Sequence, residues 1–553
     1  MKFTHHRIHF FFIIINYLKS DSIIHIESNP QKNFLRKQFN IHEAIFLISK
    51  YELDSFTKRC QETIKEKIVN ELEHIVGEKY ISDQPELRFL YHYDFITAEP
   101  EGTCDVAIMP NSVEEVQEII KVANLYKIPV VPWVSGINFG SIATPRKGGI
   151  VIDLRRMNRV LEVNEDDMYA VVEGGITWAD FKGYLDKHNP NLKAGITWSP
   201  PGTGVVPSCI CYGMFDLGML GGTGAEFING LEVILGSGEL VRVGSCSLSN
   251  YWYGRQPLPD LAGLFIGWEG TTGIVTKAAI KLWPKLPYRE DFLPIAQRME
   301  DGIPMMLKLS KAGLGIVDLC ILNLGWSQSL MGFDEKMVAK NPIELGLPDF
   351  LGLVSTQAYT EKQHEAQCEA IMSICRDFNM DPLTVREQID AFPENLRGIM
   401  SDLTPSTGGQ TPVHFWGCWD FARGGGGQWI GSYCSTRDIV KYYNLSREVC
   451  LKYDKPPQFY SRILFGGHYS VARTNINFNK NDPEDIKKAR NLLKDIHEAV
   501  QQLDGVVMYK PPLWAVQYYK DKTLPSTRVL IEKIRKILDP NEIMNPGQGV
   551  GGD

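Results

Sequence analysis

"IPVVPWVSGINFGSIATPRKGGIVID", residues Ile128 to Asp153, begins as a short apolar strand and breaks into the loop "SGINFGS" (Ser135 to Ser141). It recovers as a second apolar strand, Ile150 to Leu154, after the turn "RKGG". Upstream, Val113, Val116, Ile119, Ile120 and Ala123 recur at helical spacing. They follow "PNSVEEV", where Ser112 is placed to cap and Glu115 sits three residues on. The unit therefore predicts helix, strand, glycine loop, strand. Ser135, Gly136, Asn138, Gly140 and Ser141 expose backbone N–H groups with little side-chain bulk, and such a loop can wrap a phosphate or pyrophosphate. Standing alone, it is more readily an ordinary turn, because glycine matches are cheap. Two later glycine segments shift that balance.

The second segment is "SPPGTGVVPSCICYGMFDLGMLGGTG", a long Gly/Pro/Ser loop that flows into a hairpin, "GLEVILGSGELVRVG", turned at Ser237-Gly238. A loop that long inside a compact domain is seldom passive. The third is "GWEGTTG" within "GLFIGWEGTTGIVTKAAIKLWP", read as apolar strands on both sides of the glycines. Between the first and second lies "YAVVEGGITWADFKGYLDKH", a strand and then a helix that Thr177 caps with Asp180 three residues on. Three Gly/Ser/Thr-rich connections between strands make a loop-rich domain without a ligand the weaker reading, and an extended cofactor site with a pyrophosphate the stronger.

A chain of 553 residues is too long for one core and should hold two or more domains. It is 44% apolar and 22% charged, an ordinary globular composition, and its net charge of −8 gives no footprint for nucleic acid or an anionic membrane. The 11 cysteines are scattered, and Cys209 and Cys211 are too close for a zinc half-site. They read as reduced intracellular thiols or as core packing, which gives no metal site and a cytoplasmic location. The apolar run Phe10 to Ile15 is far too short to span a bilayer, and no small-residue cleavage site follows it. Residues 1–62 read as a poorly ordered extension, or as the product of a start codon placed too early.

"VSGINFGS", "GGIVIDLRRMNRVLEV", "YAVVEGGITWADFKGYL", "GLEVILGSGELVRVG" and "GLFIGWEGTTGIVTKAAIKLWP" stand in the order and spacing of a known flavoprotein module. The chain resembles the vanillyl-alcohol oxidase and 4-cresol dehydrogenase flavoprotein family, whose relatives include flavin-linked glycolate and D-lactate dehydrogenases. The closing "LDPNEIMNPGQGV" resembles that family's last segment. The resemblance implies an α+β fold: a PCMH-type FAD-binding domain built from both ends of the chain, with an inserted antiparallel-sheet substrate (cap) domain. The expected boundaries are 63–287 for the FAD-binding domain, 288–500 for the cap, and 501–553 returning to the first. Strands such as "GIVDLCIL", "PVHFWGCWDF" and "YSRILFGGHYSVARTNINF", with helices such as "DPEDIKKARNLLKDIHEAVQQL", fit that inserted part.

The cofactor implied is FAD, bound without a covalent link. The expected contacts are Ser135, Gly136, Ile137, Asn138, Phe139, Gly140 and Ser141 in the first loop, and Pro201, Gly202, Ser208 and Gly213 in the second. Glu269, Gly270, Gly273, Ile274 and Val275 follow in the third segment, and Asn545 in the closing one. Where phenol-oxidising members hold the phenolate oxygen with Tyr and Arg, this chain has Tyr509 and Lys510, so the cation stays and the planar fork is lost. His468 and Arg473 are further substrate-contact candidates; one His falls short of the His-rich metal segment of the hydroxy-acid enzymes. The family's catalytic Asp has no counterpart in "SPPGTG", where the nearest acids are Asp216 and Glu226. The common covalent-flavin positions fall near Gln428 and at Ile137 and Asn138, none of which can add to the ring; the alignment at the first can slip, and Tyr433 or Cys434 just beyond could substitute. The activity implied is oxidation of a small organic substrate, a para-substituted phenol or aromatic alcohol, by hydride transfer to FAD. The alternatives are a 2-hydroxy-acid dehydrogenase, which "GWEGTTGIVTK" resembles more closely, and a non-catalytic electron-transfer subunit. Oxygen, a cytochrome or a quinone could take the electrons. No nucleic acid is expected as a partner, and a homodimer is compatible with the reading.

Overall fold

The computed structural model of the chain describes residues 65–92, 102–138, 140–197, 199–330, 341–384, 425–510 and 513–549. The N-terminal extension, Phe139, and the expected strand "PVHFWGCWDF" lie outside the described residues.

The first sheet has the order β1-β2-β4-β3 and is built from β1 (Ile81–Ser82), β2 (Val106–Ile108), β3 (Val130–Trp133) and β4 (Ile150–Asp153). β4 lies parallel to both β2 and β3, and the helix Val113–Tyr126 makes the crossover from β2 to β3. The expected cap forms: the Ser112 hydroxyl accepts from the Glu115 amide, 3.2 Å away. Val116, Ile119, Ile120 and Ala123 are fully buried, as their spacing requires. In such a sheet ligands bind beyond the C-terminal ends of the strands, which is where the loop after Trp133 begins.

The second sheet is antiparallel, ordered β5-β6-β10-β8-β9, with β7 (Leu192–Ala194) also paired to β10. It uses β5 (Val160–Asn164), β6 (Tyr169–Glu173), β8 (Ile228–Ile234), β9 (Leu240–Val243) and the long β10 (Ile274–Pro284). β8 and β9 are the expected hairpin, and Thr177 caps the helix Trp178–His188 as read from the sequence. The stretch before "GWEGTTG" differs from expectation: Leu261–Leu264 is a single 3-10 turn that Asp260 caps. An Asp side chain able to bond the Ala262 amide competes there with a strand.

A nine-stranded antiparallel sheet spans β11 (Tyr288–Leu293), β12 (Ile295–Ala296), β13 (Ile316–Asn323), β14 (Phe350–Ala358), β15 (Leu383–Thr384), β16 (Gly425–Cys434), β17 (Gln458–Leu464), β18 (Tyr469–Asn479) and β19 (Val506–Met508). Its order is β15-β11-β14-β13-β17-β18-β16-β19, with β12 on β14. Phe459 and Ile463 of β17, Ala472, Ile476 and Phe478 of β18, and Ile430 of β16 join one apolar core with residues of the helices Met299–Ser310, Ile439–Lys452 and Pro483–Val500. Because successive strand residues point to opposite faces, the residues between them, Tyr460, Arg462, Arg473 and Trp429, belong to the other face. Near its end the chain returns to the first sheet. Val130 bridges Met544 in parallel, and the Asn545 amide donates to the Val130 carbonyl at 2.7 Å. The residues Glu71–Asp553 pack as one compact unit.

Candidate active site

The first glycine loop is shaped by its own asparagine. Asn138 Oδ1 accepts from the Gly140 amide at 2.8 Å and the Ile142 amide at 3.4 Å, while Gly136 and Ser141 take left-handed backbone angles, φ 63° and 55°. A Cβ on Gly136 would lie 2.9 Å from the Trp133 ring, so the bend requires glycine. The closing segment clamps this loop: Gln548 Nε2 donates to the Ser141 carbonyl and Arg146 to the Gly547 carbonyl, both at 2.7 Å. Asp539 caps the clamp by accepting from the amides of Ile543 and Met544.

One cleft runs from this loop to the nine-stranded sheet. Ser135, Gly136, Ile137, Asn138, Ser208, Gly213, Glu269, Gly270, Gly273, Val275, Asn545, Lys510 and Arg473 line it, which brings the three glycine segments and the closing segment together. Gly140, Ser141, Pro201, Gly202 and Ile274 do not line it. Gly140 backs onto Lys510, whose carbonyl a Cβ there would meet at 3.3 Å. Gly202 is adjacent to Ile137, and Ile274 opens β10. Tyr509 is buried behind Arg473, whose Nε donates to its hydroxyl at 2.6 Å. His468 does not come to the site. It is exposed at the 3-10 turn Phe465–Gly467 between β17 and β18, five residues and about 16 Å of strand from Arg473.

Sequence reasoning missed several walls. Trp429 and Tyr460 of the nine-stranded sheet, with Trp326 of the helix Leu324–Leu330 after β13, line that end of the cleft. Gln428 is buried on the strand face opposite its neighbour Trp429. Cys209 is core, whereas Cys211 lines the cleft, and burial pushes its thiol up to about 11. Neither Asp216 nor Glu226 lines it: buried Asp216 accepts from the Ile196 amide at 2.8 Å, and Glu226 is exposed. Among the described lining residues Glu269 is the single carboxylate, and burial raises it to about 7 against the pull of Arg146 and Lys510. Burial also lowers the Lys510 ammonium to about 8, and raises the Tyr509 phenol against the pull of Arg473.

The family model that describes an FAD binding domain matches residues 104–244. The glycolate oxidase subunit GlcD of Bacillus subtilis is 23% identical over 500 residues, covering 88% of this chain and 97% of the relative. The flavoprotein subunit of 4-cresol dehydrogenase (hydroxylating) from Pseudomonas putida is 22% identical over 474 residues, covering 80% and 87%. The structure of p-cresol methylhydroxylase with substrate bound superposes with a TM-score of 0.76 at 19% identity, covering 88% of this chain and 97% of that one. The chain is an FAD-dependent oxidoreductase with a PCMH-type FAD-binding fold.

The cleft of this FAD-dependent oxidoreductase fits its cofactor on independent grounds. Among the described residues, buried Asn545 Oδ1, Thr203 Oγ1 and Trp133 Nε1 have no hydrogen-bond partner, and all three line the cleft. Buried polar atoms left unpaired by protein are costly and mark where a ligand completes them. Gly270 and Gly273 would bring a Cβ within 2.7 Å of Pro132 and Val233, so the third segment, like the first, approaches its neighbours as only glycine can. Among the described residues no helix is long and apolar enough to cross a membrane.

Proposed function

We propose that this chain oxidises a small aromatic substrate, a para-substituted phenol or aromatic alcohol, and that Arg473 and Lys510 hold its anionic oxygen, with Tyr509 positioned behind Arg473. The observation that carries this reading is the convergence of two cations, Arg473 and Lys510, with Trp326, Trp429 and Tyr460 at one end of the FAD cleft. When bound, FAD would supply the hydride acceptor. The chain's own part is to bury the substrate ring against the aromatic walls, to hold the anionic oxygen, and to fix the carbon that reacts. Tyr509 acts through Arg473, which its hydroxyl orients. The reading places the FAD-binding part in residues 63–287 and 501–553, with the substrate part between. A 2-hydroxy acid is the second reading, favoured by the near full-length alignment with the glycolate oxidase subunit.

Anaerobic mixing of the purified holoprotein with a panel of phenols, aromatic alcohols and 2-hydroxy acids tests the proposal. Bleaching by the aromatic compounds supports it, and bleaching by aliphatic hydroxy acids alone favours the second reading. On the substrate so found, Lys510→Ala should lower kcat/KM by about 2 kcal/mol, the worth of one charge-assisted hydrogen bond. The Lys510 ammonium is charged below about 8 and neutral above it, so kcat/KM for an anionic substrate should hold at neutral pH and fall as pH rises through 8. Lys510→Arg should move that limb to higher pH. An alkaline limb unchanged by this substitution would remove Lys510 from the site.

The flavin should also come off intact. Among the described residues lining the cleft there is no histidine, and burial keeps the Cys211 thiol protonated at neutral pH. Acid precipitation should leave the yellow colour in the supernatant. A yellow pellet, with flavin mass on a peptide holding Cys211 or Tyr460, would show a covalent link instead.

A further inference from the structure

Arg473 is held more rigidly than a side chain needs for packing alone. It stands in register between Tyr460 of β17 and Gly431 of β16. Its guanidinium carbon lies 4.6 Å from the Trp429 ring and 5.5 Å from each of the Tyr460 and Tyr509 rings. A Cβ on Gly431 would be 2.7 Å from Tyr509, so a glycine makes the space in which the tyrosine ring lies beside the guanidinium. Nε is spent on the Tyr509 hydroxyl. The two terminal nitrogens remain, on a residue of the cleft wall, and among the described residues no carboxylate pairs with Arg473. Lys510, the second cation of this wall, has no ion pair among the described residues either. Both are half-buried in the cleft wall, where a bound anion would pair with them at less cost than in open water.

Resting on the proposed oxidation of an aromatic substrate, we infer that the substrate carries a carboxylate, gripped by the terminal nitrogens of Arg473 while its ring lies against Trp429 and Tyr460. A planar fork with fixed orientation matches two oxygens in one plane, whereas a phenolate offers one. The flavin's own pyrophosphate does not answer to Arg473. The glycine loop and Asn545 belong to the first sheet and its clamp, while Arg473 belongs to β18 of the nine-stranded sheet. Lys510 shares the Arg473 end and extends it toward the loop, with its backbone against Gly140 and its charge felt by Glu269. An aromatic alcohol with a carboxylate across the ring from the reacting carbon satisfies the whole arrangement.

The test is a titration of the wild-type holoprotein with benzoate, benzamide and p-cresol, read as the change in flavin absorption. Benzoate should bind at least about 30-fold tighter than benzamide, as a charge-assisted pair predicts. Arg473→Met should erase that preference with flavin content kept, and Arg473→Lys should restore only part of it. Equal affinity for benzoate and benzamide in the wild type, or tighter binding of p-cresol than of benzoate, overturns the inference even where a variant fails to fold. The proposed oxidation fails separately, when no aromatic compound bleaches the flavin anaerobically, whatever these affinities are.

Discussion

Gly136→Asp should yield a colourless protein, with FAD affinity reduced at least a hundredfold, or about 3 kcal/mol. Gly136 sits at φ 63°, where a side chain costs roughly 1–2 kcal/mol of backbone strain. Its Cβ would press to 2.9 Å from the Trp133 ring, in a loop already fixed by Asn138 on one side and by Gln548 and Arg146 on the other. The carboxylate would then face the pyrophosphate that the loop is proposed to hold, and two like charges a few ångströms apart repel by several kcal/mol where water is scarce. Gly136→Ala carries the strain without the charge and should keep a measurable part of the flavin. The ratio of flavin to protein absorbance after purification reads both. A yellow Gly136→Asp protein with one FAD per chain would show that the pyrophosphate lies elsewhere.

That loop was readable because everything that makes it is local. Glycine and serine stand between two apolar strands, and Ser112 and Thr177 cap helices through hydrogen bonds three residues away, within reach of a sequence window. The end of the cleft at the nine-stranded sheet obeys a different logic. Trp429, Tyr460 and Arg473 meet only because β16, β18 and β17 pair in one register, and a slip of one residue would turn all of them to the opposite face. No spacing within any one strand encodes that meeting. His468 was misplaced for a related reason: "LFGGHYSV" reads as strand throughout, yet Phe465, Gly466 and Gly467 all take positive φ and turn the chain there. The acid of the cleft shows the same limit. Glu269 lines it from a left-handed position at φ 54° in the third glycine segment, whereas Asp216, nearer in sequence to the expected acid, is consumed by the Ile196 amide.

The largest loss of stability should come from a residue that does not line the cleft. Arg462 is fully buried on β17, where one terminal nitrogen donates to the Phe215 carbonyl at 2.7 Å and the other to Asp318 Oδ2 at 2.9 Å. Phe215 follows Met214, which lines the cleft, so this guanidinium ties the second glycine segment to the nine-stranded sheet. The two parts approach closely nearby: a Cβ on Gly218 would lie 2.7 Å from Leu464. Burial, helped by nearby Asp216 and Asp291, holds the Asp318 carboxyl up at about 7 even against Arg462, the largest force lowering it. Arg462→Ala would strand a buried carboxylate and a carbonyl and leave a void, a loss of about 3–5 kcal/mol. Arg462→Met with Asp318→Asn, which refills the stem and removes the charge, should recover much of it, because the penalty arises from the unpaired partner rather than from the lost attraction. Thermal unfolding of the three proteins measures this, and flavin content reports whether Phe215 keeps its place. An Arg462→Ala protein as stable as the wild type would mean that water or another donor replaces the arginine, and the strut would lose its meaning.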